Sequence, residues 1–174
     1  MELLTDLAKV ILPATLVLFA VYLSLSLMLK KDLQAKKIDL QAQNLKILMP
    51  ISLQAYERLT LFLERISPEN LLIRLNGRAD SVALFQQILI SEIRDELNHN
   101  ASQQVYVSNE TWKSIKQAYD EVVTTINIAA QECKAEEPAL VLSKKILQLI
   151  IDKNINSTQN ALETLKTEVR NKYF

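Results

Sequence analysis

Glu96-Leu97-Asn98-His99 places a Glu-x-x-His on an expected helix, the spacing that aims two metal ligands along one face. A di-iron carboxylate bundle needs that motif twice, with two further Glu, and this chain holds a single His. Glu96 and His99 are therefore expected as surface or helix-end groups; a cation in a last turn is favoured by the helix dipole. Cys133, the one cysteine, excludes an intrachain disulfide framework. It falls on the expected apolar face of its helix and reads as a small core residue, since a nucleophile needs a base beside it and the only His is on another helix. Asp95, Glu96, Asp120, Glu121, Glu136 and Glu137 fall mostly on expected polar faces and read as solvated rather than as an acid–base pair. Glu57, Arg58, Glu64 and Arg65 read as a solvated charged face, and Tyr56, Tyr106, Trp112 and Tyr119 as core rather than as a pocket lining. The single Gly cannot build a phosphate-cradling loop. No catalytic, cofactor-binding or metal-binding set emerges, and the expectation is a protein that is not an enzyme.

The elements that carry these residues are all expected to be helices. The chain has 174 residues, 49 % of them hydrophobic and 23 % charged, so it is neither a disordered tail nor more than one domain with an appendage. Twenty Lys and Arg balance twenty Asp and Glu, and without a basic excess no nucleic-acid partner is expected.

Residues 10–29, VILPATLVLFAVYLSLSLML, carry no charge. A helix of that length rises roughly 30 Å, the hydrocarbon thickness of a bilayer. Pro13 sits near its first turn, where a missing N–H is cheap, and Ser24 and Ser26 can bond back to the helix's own carbonyls. The acidic N-terminal flank, the length of the run and the lack of a small-x-small site distinguish it from a cleaved signal peptide. Lys30, Lys31, Lys36 and Lys37 follow the run and only Lys9 precedes it. The positive-inside rule then places 1–9 outside and everything after 29 in the cytoplasm, in a single-pass topology. The four lysines after the run form a candidate lipid-facing basic cluster. Three N-x-S/T sequons, at Asn100, Asn109 and Asn156, read as chance occurrences.

Residues 30–66 read as one long helix with a heptad. Its a positions are Ala35, Ala42, Met49, Tyr56 and Leu63, and its d positions Ile38, Leu45, Ser52, Leu59 and Ile66. The phase holds across Pro50, so a kink rather than a stop is expected there. Residues 30–49 read as a juxtamembrane stalk and 50–174 as a cytoplasmic bundle. Leu33, Leu40 and Ile47 form a second apolar stripe on the stalk, a candidate interaction surface that a solvated single helix would not need. In the bundle, Ser67-Pro68-Glu69 stops one helix and starts a short one that ends at Asn76-Gly77. A helix capped by Asp80 or Ser81 runs to about Asn100. An extended connector is allowed at 104–107. A helix capped by Ser108 or Asn109 carries Trp112 to Cys133, and one last long helix carries Leu140 to Val169, with 146–151 expected centrally. Short connections imply antiparallel neighbours.

The stretches LQAYERLTLFLERISP (53–68), EIRDELNHN (92–100) and QQVYVS (103–108), with Trp112, resemble a family of uncharacterised single-pass membrane proteins from Bacteroidota-type bacteria. The resemblance reaches to about residue 130. It implies a bacterial inner-membrane setting and brings no activity, cofactor or functional residue. The functional expectation is an anchored helical scaffold that meets membrane lipid through its span and a protein partner or a second copy through its exposed faces. The alternatives are a stalk-like structural subunit of a membrane complex or, ranked last, a ligand- or metal-binding bundle.

Overall fold

The computed structural model describes the backbone of residues 2–173 and the side chains of Lys9, Ile11 and 15–173. Its described residues are helical with short connections: α1 (Glu2–Ile66), α2 (Pro68–Leu75), α3 (Val82–Asn100), a 3-10 turn (Ala101–Tyr106), α4 (Asn109–Gln131), α5 (Ala139–Lys153) and α6 (Ser157–Tyr173). The chain divides after Pro50 into two compact units.

In the first unit every described side chain is exposed except those of Ser26 and Met49, which are half-buried. Ser26 Oγ donates to the Leu23 carbonyl at 2.9 Å, which satisfies a hydroxyl on an otherwise apolar stretch. Among the described residues no helix is long and apolar enough to cross a membrane. Of the expected span, the side chains of Val10, Leu12, Pro13 and Ala14 lie outside the described residues, as do those of 1–8 in the expected outer segment. The apolar run described without interruption, 15–29, rises about 22 Å as a helix.

The second unit has its own core. From α1 come Tyr56, Leu59, Phe62, Leu63 and Ile66, the second half of the heptad and its neighbour. Val82, Phe85, Leu89 and Ile93 of α3 recur every three or four residues and are all buried. So are Ile115, Ala118, Val122, Ile126 and Ala129 of α4, which packs against α3, α5 and α6 and is the central helix. The expected central position of 146–151 is corrected: Ile146 and Leu149 are buried, but Ile151 is 73 % exposed and Leu147 also faces solvent. Only one face of α5 is covered.

The helix starts follow their caps. Ser81 Oγ accepts from the Leu84 N–H, and Ser108 Oγ from the Thr111 N–H at 3.1 Å. Two further free N–H groups at the start of α3, on Val82 and Ala83, are satisfied by the carbonyls of Glu137 and Ala135 in the α4–α5 loop, at 2.8 and 3.1 Å. Ser67 differs: it stands before Pro68 as expected, but its hydroxyl donates back to Glu64 O and caps nothing. The region 101–106 is a 3-10 turn rather than an extended connector.

The single last helix expected over 140–169 is two. Asn154 takes the left-handed conformation (φ 50°), its N–H bonds Ile151 O, and the Ile155 N–H reaches back to Ile150 O at 3.0 Å. That pair of bonds is the Schellman closure, which ends α5 outright; Asn is the residue after Gly that tolerates the conformation best.

Candidate functional site

The residues singled out for chemistry are spread over the second unit. Glu96 is only 13 % exposed in its side chain, and its Oε1 lies 2.8 Å from Arg65 Nε. Its carboxylate joins the end of α1 to α3. His99 is exposed in the last turn of α3. Glu57, Arg58, Glu64 and Arg65 are all exposed. Asp95, Asp120, Glu121 and Glu136 are exposed too, and Glu137 Oε2 accepts from the Lys134 N–H within the α4–α5 loop. Among the described residues no three His, Cys, Asp or Glu are grouped to hold a metal ion.

Cys133 packs against the core as expected, but not from the helix. α4 ends at Gln131, so the thiol lies in the turn beyond the helix, half-buried, and donates to Ala129 O. Burial and the nearby Glu137 carboxylate push the thiol above its ordinary pKa, and Lys145 opposes them only in part. A protonated thiol is a poor nucleophile.

The tightest polar cluster is one that sequence spacing did not reveal. Tyr56 Oη on α1 donates to Glu168 Oε1 on α6 at 2.7 Å. The Ser108 N–H donates to the same oxygen at 3.0 Å, and Ser108 Oγ to Oε2 at 2.7 Å. Lys172 Nζ lies 3.4 Å from both Tyr56 Oη and the Tyr106 carbonyl, and its charge sits over the rings of Tyr56 and Tyr173. These two rings meet edge to face at 6.2 Å. Burial alone would raise the Glu168 carboxyl. The hydroxyls of Thr111, Ser108 and Tyr56 and the Ser108 N–H together outweigh it and hold the group below its ordinary value. Burial first, then the hydrogen bond to Glu168 and its charge, push the Tyr56 phenol far above its ordinary value. A carboxylate this well supplied with donors is a weak base, and the phenol beside it a weak acid. The cluster is a clasp: it fixes α1, the start of α4 and α6 to one another.

Beside the clasp, an open cleft of about 600 Å³ lies between the start of α4 and α6, with Glu110, Glu163, Thr164, Thr167 and Asn171 on its walls. Lys166 pairs with Glu163 at 2.8 Å and lowers its carboxyl pKa. Tyr56 is buried, and Tyr106, Trp112 and Tyr119 are half-buried.

The stalk candidates lie in the first unit. Leu33, Leu40 and Ile47 are each 60 % exposed or more. Lys30, Lys31, Lys36 and Lys37 are exposed as well.

A family model described as a family of unknown function, DUF7935, matches residues 2–172. The chain belongs to this family. The DUF7935 match runs from the start of α1 almost to the end of α6, well past residue 130, where the resemblance read from the sequence stopped. The family description names no activity, so no residue receives a role from it. No curated protein and no solved structure matches the chain.

Proposed function

We propose that this DUF7935 protein is a membrane-anchored helical interaction module, not an enzyme, held at a bacterial inner membrane by 10–29 with its bundle in the cytoplasm. The observation that carries the reading is the contrast between the two units. The second closes a core of its own and ties its elements with a satisfied polar clasp. The first leaves Leu16, Val17, Leu18, Phe19, Val21 and Tyr22 about half or more exposed, in a stretch that continues apolar to Leu29. Contiguous apolar surface of that extent calls for lipid or protein cover. The full stretch 10–29 has the length and the absence of charge of a span, and the lysines after it set the orientation.

In this reading Lys30, Lys31, Lys36 and Lys37 lie at the inner-leaflet headgroups, where each adds about 1 kcal/mol of attraction to anionic lipid. Leu33, Leu40 and Ile47 present the stripe that recruits a partner close to the membrane. A stalk-like structural subunit is less well supported, because the second unit closes a core of its own.

In-cell cross-linking of the tagged full chain, followed by detergent extraction and mass spectrometry, tests the recruiting role. The expected result is a specific cross-linked species that disappears when Leu33, Leu40 and Ile47 are all changed to Glu while the protein stays in the membrane fraction. Unchanged cross-linking in the triple variant would remove the stripe from the account.

A further inference from the structure

The heptad of α1 meets two different fates. Its later positions, Tyr56, Leu59, Leu63 and Ile66, are covered by the second unit's own helices. Among the described residues its earlier positions are open: Ile38 is 64 % and Leu45 60 % exposed, and Ala35 and Ala42 beside them are exposed as well. The same register also extends towards the N-terminus. Counting back from Ala35 and Ile38 in steps of seven gives Met28 and Val21 at a, and Lys31, Ser24 and Val17 at d. From Val17 to Leu45 the alternation of three and four is unbroken, a seam of roughly 40 Å along a helix. An independent geometric feature follows the same line. An apolar groove of about 430 Å³ on α1 is lined by Val17, Ala20, Val21, Ser24, Leu25 and Met28. Every one of these is an a, d, e or g position of that heptad, the four positions that meet a facing helix.

We infer that this seam is covered by a second copy of the chain, packed in parallel and in register from Val17 to Leu45. The inference rests on the anchored reading, since two copies entering one membrane in the same sense present their seams in parallel. The flanking side chains fit that occupant. In a parallel pair each g position faces the partner's e position five residues on. Leu27 then meets Asp32 of the other copy, Gln34 meets Asp39 and Gln41 meets Lys46, so no like charges meet at these flanking pairs. Within the apolar segment, Ala20 and Ser24 are four apart and let two backbones approach closely, which is how helices associate in lipid. Lys31 is the one charged type on the seam and stands opposite the other copy's Lys31; it falls where the apolar run has just ended, so in the pair both ammoniums can turn out to water while the stems cover the seam. The Leu33–Leu40–Ile47 stripe lies off this seam and stays open to another partner.

Single cysteines introduced into the full chain carrying C133S test the pairing in native membranes. Two differently tagged copies are co-expressed, a mild oxidant is added, and the mixed-size disulfide dimer is measured alongside carbonate extraction of the same membranes. Ile38→Cys and Leu45→Cys are expected to cross-link several-fold more than Leu40→Cys and Ile47→Cys. Same-position disulfides at two sites a heptad apart form together only between parallel, in-register helices. Preferential cross-linking at Leu40→Cys and Ile47→Cys overturns the seam in favour of the other stripe, and no dimer at any of the four overturns the pairing altogether. Extraction separates the two claims. A protein that resists carbonate without cross-linking defeats the pairing alone, whereas one that cross-links on the seam but is released by carbonate keeps the pairing and defeats the anchor.

Discussion

Glu168 shows how a single carboxylate organises the second unit. It takes donors from two stretches of chain, Tyr56 of α1 and Ser108 and Thr111 at the start of α4, and stays ionised despite partial burial. Glu168 is only partly buried and keeps its other donors, so losing the one bond from Tyr56 costs on the order of 1 kcal/mol. Tyr56→Phe is expected to lower the midpoint of thermal unfolding of the detergent-purified chain accordingly, with helical content at low temperature unchanged by circular dichroism. The pH dependence has a definite sign. Because the folded pKa of Glu168 is depressed, its contribution is complete above the ordinary carboxylate value of about 4.3 and is lost as pH falls through the lower folded value. The wild type should therefore lose stability on acidification more steeply than Glu168→Gln, which melts taken between pH 7 and pH 3 will show; parallel curves would mean that the carboxylate is not held ionised in the fold. Cys133, raised by burial and Glu137, should alkylate slowly at neutral pH in the folded protein and faster once it is denatured.

The helices were legible wherever local chemistry decides them. Ser81 and Ser108 cap where the sequence places them, Asn100 closes α3, and the three-to-four spacing of Val82, Phe85, Leu89 and Ile93 marks the buried face. The break at Asn154 was missed for a physical reason. Apolar residues continue through Ile150, Ile151 and Ile155, so the periodic signal bridges the break, and the left-handed turn is carried by one Asn rather than by a Gly. The sequence Asn154-Ile155-Asn156-Ser157 does hold the signals of a helix stop followed by a start. Asn154→Val is expected to destabilise by roughly 1–2 kcal/mol through the left-handed conformation a β-branched residue avoids, and Asn154→Gly to be tolerated; unfolding melts of the two variants compare them directly. The clasp was illegible in principle: Tyr56 and Glu168 are 112 residues apart, and no spacing rule connects a phenol on α1 with a carboxylate on α6. Leu59 shows the reverse case. It is a d position, it is fully buried, and Leu59→Ala is expected to cost about 2–5 kcal/mol in the same melts.

At the scale of the molecule, two units of one chain divide the work of burial differently. The second closes a continuous apolar core and holds a polar clasp beside it. The first displays exposed apolar side chains from Leu16 to Leu29 and at Leu33, Ile38, Leu40, Leu45 and Ile47 beyond them, and the function proposed for it rests on what covers them. The covers proposed for that surface are lipid over 10–29, a second copy along the Val17–Leu45 seam and a partner at Leu33, Leu40 and Ile47. The anchor sets the parallel sense argued for the pairing and the membrane-proximal place of the partner. Carbonate extraction of membranes from cells expressing the full chain, beside a chain lacking residues 10–29, tests it most directly. The account predicts that the full chain stays in the membrane pellet and the shortened one moves to the supernatant; a full chain released by carbonate would contradict it.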